Sequence, residues 1–202
     1  MNDAAVRVEG SGEDAVHRIF NLSRTHNAWL DKPVDEERLR EAVAMASMGP
    51  TSANCQPMRI VFVRSEDGKE RLLKAVSPGN FEKVRTAPVT AILGYDLEFY
   101  EKLPRLFPHR DARSGFLGKD DHIRTTAFRN ATLQAGYFIL ALRAVGLDCG
   151  PLSGFSNEAV DAEFFPDGRI RSNFLCNVGH GDKSSLFGRL PRLAFEEVCT
   201  YA

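Results

Sequence analysis

Three short polar stretches hold the residues whose types could do chemistry. The first is Arg24-Thr25-His26-Asn27. The second, Gly49-Pro50-Thr51-Ser52-Ala53-Asn54-Cys55-Gln56-Pro57, sets small hydroxyl and amide side chains between two prolines. Such a loop is stiff, rich in hydrogen-bonding groups and poor in bulk, so its backbone can lie close against a flat ligand. The third combines the glycine-rich turn Pro151-Leu152-Ser153-Gly154-Phe155 with the basic pair Arg189-x-x-Arg192. Guanidinium forks near the end of a chain suit a terminal phosphate, which carries nearly two negative charges and accepts bidentate hydrogen bonds. Taken singly, each stretch is also what an ordinary loop or a solvated arginine looks like.

Other chemistries lack their residues. No Gly-x-Gly-x-x-Gly follows a strand, and no phosphate-binding loop ends in Gly-Lys-Ser/Thr. A Gly-x-Ser-x-Gly nucleophile elbow is missing. His17, His26, His109, His122 and His180 are not at metal-ligand spacing. Cys55, Cys149, Cys176 and Cys199 make no Cys-x-x-Cys pair, which argues against a zinc site or a disulfide framework. The formal net charge of −1 gives no electrostatic case for nucleic acid or an anionic membrane. Neither a signal-peptide core nor a membrane-length apolar run is present, so the expected location is the cytoplasm.

The elements that must position these stretches follow from patterning. The 202 residues suit one domain large enough to bury a core without staples. Residues 1–12 read as a flexible leader and 13–202 as the domain. A first helix is expected over about Asp14 to Leu22. Asp35 is a good N-cap for a second, with Leu39, Val43 and Ala46 on one face. Ile60-Val61-Phe62-Val63 reads as a strand buried on both faces, and Pro88 to Tyr95 as another. A short helix is expected around Lys69 to Val76. Residues 96–120 are irregular, a lid or a surface excursion. Asp121 to Val145 is the strongest helix, apolar nearly all round after Ala131 and ended by Gly146. Residues 147–155 read as turns, Ser156 as the cap of a helix reaching Phe164, Asn173 to Gly179 as a third strand, and Phe195 to Cys199 as a short last helix. Helices and strands alternate irregularly, which predicts an α+β three-layer fold with a mixed, mostly antiparallel sheet flanked by helices.

In order and spacing, over roughly residues 15–202, the polar stretches resemble the FMN-dependent nitroreductase family. That family's pattern is Arg-x-Ser, then Pro-Ser-Ser-x-Asn-x-Gln-Pro-Trp, then Pro-Ile-x-Gly-Phe after a long central helix, then a late basic phosphate contact. The counterparts here are Arg24-Thr25-His26, Pro50 to Met58, Pro151 to Phe155 and Pro191-Arg192. Within the family the chain looks most like the RutE-type malonic semialdehyde reductases of pyrimidine degradation. Shared features include Gly49 to Cys55, Leu106-Phe107-Pro108-His109, Asp111-Ala112-Arg113-Ser114 and Arg189 to Leu193.

The resemblance implies a nitroreductase-like homodimer with two FMN sites at its interface. Arg24 and His26 would reach the flavin ring or phosphate, with Arg189 or Arg192 on the phosphate. Pro50, Thr51, Ser52 and Asn54 would come from the partner protomer. Pro151, Leu152, Ser153 and Gly154 would lie along the ring, with the Gly154 N–H near the flavin N5. NADPH or NADH would give a hydride and leave, and an electron acceptor would then take its place. No catalytic side chain is implied. Malonic semialdehyde, reduced to 3-hydroxypropionate, would need a cation for its carboxylate, with Arg113 the first candidate and Arg110 and Arg129 behind it. A broad nitro or quinone reductase and a non-catalytic flavin-binding protein are the other readings. His26, Ala28, Met58 and Ser153 depart from the family pattern, which bears more on the phosphate contacts than on the ring contacts.

Overall fold

The computed structural model describes residues 13–202, and the leader expected over residues 1–12 lies outside the described residues. Strands β1 (Met58–Val63), β2 (Val89–Asp96), β3 (Asp148–Leu152) and β4 (Ile170–Gly179) form one sheet in the order β1-β2-β4-β3. All neighbouring pairs are antiparallel, and one isolated parallel bridge joins Thr25 to Cys149 at the β3 edge. Helices α1 (Glu36–Ser47) and α4 (Asp120–Ala144) cover one face of the sheet. Helices α2 (Glu66–Leu73), α3 (Pro78–Thr86) and α5 (Asn157–Phe164) cover the other. The expected α+β three-layer architecture is the one observed.

The period of two along a strand explains the layering. In β2, Val89, Ala91 and Leu93 pack against α1 and α4, while Ile92 packs with Leu72, Val84 and Val160 on the opposite side. The α1 side chains Leu39, Ala42 and Ala46 are buried, and the Asp35 carboxylate accepts from the Glu37 N–H at 3.0 Å to start that helix. Helix α4 ends at Gly146, whose φ of +80° favours glycine. There Leu147 N donates to Leu142 O at 2.9 Å and Gly146 N to Arg143 O at 3.1 Å, which turns the chain sharply into β3.

Several expectations need correction. β1 is an edge strand, and only Val63 of it is fully buried, because one side of the strand has no neighbour in the sheet. β3 lies where only turns were expected. Its Gly150-Pro151 pair looks like a turn, but a Cβ on Gly150 would sit 2.2 Å from His26 O, so the glycine serves a close backbone approach. Helix α3 went unread, although Pro78 stands in its first turn. Residues 96–120 are not irregular throughout. A 3₁₀ turn (Phe99–Lys102) and a helical turn (Leu103–Leu106) place Phe99 and Leu103 in a small core with Cys55, Ile123 and Ala127.

At the end of β2, Asp96 is wholly buried between two arginines. Arg169 reaches it with two bonds of 2.9 Å, Arg59 adds another, and the Glu98 N–H donates at 2.8 Å. This cluster fastens β1, β2 and the start of β4 together. Burial alone would push the Asp96 carboxyl up, but the Arg169 hydrogen bonds, with the Arg59 charge, overrule it and hold it below the ordinary value. A carboxyl depressed in the folded state adds stability above its unfolded pKa, about 4, and loses it as pH falls through the lower folded value. Asp96→Asn should therefore cost about 3 kcal/mol at pH 7. Urea melts between pH 3 and 7 should show wild type and variant converging at the acid end. Parallel curves would remove Asp96 as the source.

Candidate functional site

The residues before β3's bridge and the C-terminal tail enclose a cleft of about 540 Å³. Its walls include Phe20, Ser23, Arg24, Thr25 and Asn27 from the first segment, and Ser185 to Leu190 with Arg192 from the tail. Arg143, near the end of α4, also lines it. Arg24, Arg189 and Arg192, expected together, are thus brought together, and Arg143 joins them.

Each guanidinium is oriented by carbonyl groups. His17–Leu22 winds as a π-helical turn, a form that leaves backbone groups open and recurs at functional sites. Its carbonyl at Ile19 accepts from Arg143 Nη1 at 3.3 Å. Arg189 donates to the carbonyls of Asn21 and Ser23. Arg24 donates to Phe187 O and so fastens the tail across the cleft. Arg192 donates to Leu190 O and Pro191 O at 3.0 and 3.1 Å. None of the four meets a carboxylate among the described residues. The cleft therefore keeps its positive charge, on a chain whose formal net charge is −1.

His26 is not part of this lining. Its side chain is 2% exposed and lies against Gly181, where an added Cβ would be 2.0 Å from Nδ1. Nε2 stands 3.5 Å from Asp148 Oδ1, and Asp148 Oδ2 accepts from Gly181 N at 2.9 Å. The histidine is a wedge that sets the end of β4 against β3. Its neighbours Thr25 and Asn27 face the cleft instead, as alternation along an extended segment requires. That alternation was the available signal for Thr25 and Asn27. Arg143 gave none, because it sits in a nearly all-apolar helix.

Pro151 and Leu152 end β3, and Ser153 and Gly154 follow it, all outside the cleft lining. The Gly154 carbonyl accepts from Ser77 N at 3.0 Å and Asn80 Nδ2 at 3.3 Å. A Cβ there would stand 2.2 Å from Asn80 Nδ2, so a larger residue would displace that amide. The Gly154 N–H has no protein partner among the described residues.

Pro50, Thr51, Ser52 and Asn54 lie at the opposite corner of the sheet, before β1, whose Met58 pairs with Tyr95. Within one chain they do not meet the arginine cleft. Their loop has three non-glycine residues at positive φ: Ala53 (49°), Asn54 (50°) and Gln56 (40°). Each such residue costs about 1 kcal/mol or more, and strain of this kind clusters at functional sites. Two buried amides one turn apart on α4 hold the loop. Asn130 Oδ1 accepts from Ser52 N at 2.8 Å, and Gln134 Oε1 accepts from Met58 N at 3.0 Å. Asn54 Nδ2 donates to Leu106 O at 2.9 Å, and the Thr51 hydroxyl accepts from Gln56 N at 3.2 Å. The Asn130 and Gln134 pair was not singled out from the sequence.

Arg113 is not a free cation. Its Nε and Nη2 each lie 2.8 Å from Glu101, in a bidentate pair. Arg110 lies over the Phe107 ring, 5.7 Å from its centroid. No cluster of three or more His, Cys, Asp or Glu suited to a metal occurs among the described residues, and no helix there is long and apolar enough to cross a membrane.

The nitroreductase family model matches residues 23–180, which takes in the first segment, the strained loop, the whole sheet and α4. A protein of Polynucleobacter asymbioticus, provisionally named an NADH dehydrogenase/NAD(P)H nitroreductase, is 56% identical over 187 residues, 93% of this chain and 95% of that one. A Bacillus subtilis structure described as a nitroreductase is 25% identical with a TM-score of 0.78, covering 91% of this chain and 97% of its own. An Exiguobacterium sibiricum nitroreductase structure in complex with FMN has a TM-score of 0.81 at 18% identity, covering 98% and 100%. With the match spanning most of its length, this chain belongs to the nitroreductase family.

Proposed function

We infer that the protein is an FMN-dependent NAD(P)H oxidoreductase that works as a homodimer. The observation that carries this is the cleft of four arginines oriented by carbonyls and left without carboxylate partners. A phosphate ester fits it, since a dianion needs fixed guanidinium donors and no competing anion. The fold holds FMN in the Exiguobacterium protein, and the Polynucleobacter relative carries NAD(P)H in its name. Arg24, Arg189 and Arg192 would grip the phosphate. The chemistry supplied by a bound FMN is hydride transfer from NADPH or NADH to a second acceptor. Gly154 offers a free N–H and no side chain, so a flat ring can approach closely and charge developing on it finds a donor.

What supports the homodimer is the separation of the two polar regions. Pro50 to Asn54 and the arginine cleft occupy diagonally opposite corners of one sheet, so if both serve one ligand, as the resemblance implies, a second copy would bring them together. Exposed Met45 on α1, Met48 just after it, and Phe128 and Leu133 on α4, with Phe187, Leu190, Leu193 and Val198 in the tail, would supply apolar surface for that contact.

For the acceptor, the subgroup resemblance supports malonic semialdehyde, reduced to 3-hydroxypropionate in pyrimidine degradation. Its carboxylate would have to displace Glu101 from Arg113, or share the guanidinium with it. That same pair favours a second reading, a nitro or quinone reductase whose acceptor needs no cation.

Purified protein should carry, or take up, a flavin whose visible band bleaches within seconds when NADPH or NADH is added without oxygen. A protein that stays colourless after FMN is added removes the reading, and a band that both donors leave intact makes it a flavin-binding protein. If Arg113 receives the substrate carboxylate, Arg113→Ala should raise KM for malonic semialdehyde about tenfold. KM for a nitroaromatic acceptor should stay where it was. An unchanged aldehyde KM leaves the nitro or quinone reading in possession.

A further inference from the structure

Arg143 differs from the other cleft arginines. It comes from the long central helix rather than from the exposed tail or the first segment, and it is half-buried. Its Nε is enclosed with no hydrogen-bond partner, and its one protein bond within hydrogen-bond criteria runs from Nη1 to Ile19 O. A guanidinium has five N–H donors and keeps its charge at any ordinary pH. Enclosing its Nε–H without a partner, with no carboxylate within ion-pair distance of the guanidinium, is costly unless an anion in the cleft offsets the charge. The Cys149 sulfur also lies within its reach, and the Cys176 hydrogen bond, with the Arg143 charge behind it, holds that thiol below its ordinary value against the effect of burial.

We propose that Arg143 is a phosphate-binding residue of this cleft, forming its floor beneath the phosphate end of the flavin ligand. The proposal rests on the flavin reading above. The π-helical turn then has a definite task, since its Ile19 carbonyl aims Arg143 and its Asn21 carbonyl aims Arg189 at one anion. The site takes one contact from a rigid helix and the rest from segments with little core of their own. Arg143 is accordingly the contact whose position does not depend on how the tail lies.

FMN and riboflavin differ only in the phosphate, so their affinity ratio isolates the contact from any general role in holding the fold. Flavin fluorescence titrations of wild type and Arg143→Met would supply it. FMN affinity should fall about tenfold to hundredfold while riboflavin affinity stays within about twofold. Arg143→Lys should recover part of the loss, because it restores the charge without the fork. Equal losses for both flavins, or no loss for either, would overturn the assignment and leave Arg143 a packing residue. Should Arg143→Met fail to fold, Arg143→Lys alone decides, with a ratio reduced about threefold expected and an unchanged ratio fatal. A wild type that binds neither flavin fails the flavin reading itself, whereas a wild type that prefers FMN with an unchanged ratio in the variants fails only Arg143.

Discussion

The β2–β4 pair is buried on both faces, and the rest of the structure answers to that. Apolar residues on one side of β2 need α1 and α4, and those on the other side need α2, α3 and α5. A pair buried this way leaves polar groups only where the strands end or a side chain finds a partner. Within the pair, Thr90 donates to Asn177 at 2.8 Å, and Asn177 donates onward to Lys83 O at 3.0 Å. At one end Asp96 is neutralised by Arg59 and Arg169. At the other, Asp148, His26 and Gly181 close the sheet against the segment that leads to the cleft. The residues proposed to face the ligand stand just beyond these two finished ends, on backbone that the core supports.

The loop before β1 shows the same dependence. Ala53, Asn54 and Gln56 hold conformations that unsupported chain would leave. They persist because α4, anchored in the core through Ala127, Ala131 and Phe138, turns Asn130 and Gln134 toward the loop. Tyr137 presses on Gly49, whose missing side chain makes room for the ring. The long helix thus serves both regions. Near its middle it pins the strained loop, and at its end it offers Arg143 to the cleft.

What could be read from the sequence was local or repeated. Asp35 and Ser156 announce helices because their side chains bond backbone N–H groups two or three residues on. The runs at Pro88 to Tyr95 and Asp121 to Val145 declare burial by composition alone. The three polar stretches, taken in order, were enough for the family. What escaped depended on partners far along the chain. β3 hid behind Gly150-Pro151, whose meaning lies in an approach by His26. His26 itself looked like a ligand contact, but the bridge at Thr25 turns its neighbours outward and the histidine in. Arg113 looked free because Glu101 lies twelve positions away with no helical register to pair them. Arg143 has no neighbouring polar residue to mark it.

The arginines of this chain differ in the kind of acceptor they meet. Arg59, Arg71, Arg85, Arg113 and Arg169 bond carboxylates, so their charge is offset within the protein. The cleft arginines Arg24, Arg143, Arg189 and Arg192 bond backbone carbonyls only, as Arg38 does singly outside the cleft. A carbonyl is a dipole, able to orient a guanidinium but not to cancel its charge. Setting such cations side by side raises their mutual repulsion, and an acidic residue would have been the simplest relief. The chain has as many acidic as basic residues to draw on, 27 Asp and Glu against 26 Lys and Arg. Leaving this one cleft without them keeps the field of the site directed at something the protein does not itself supply.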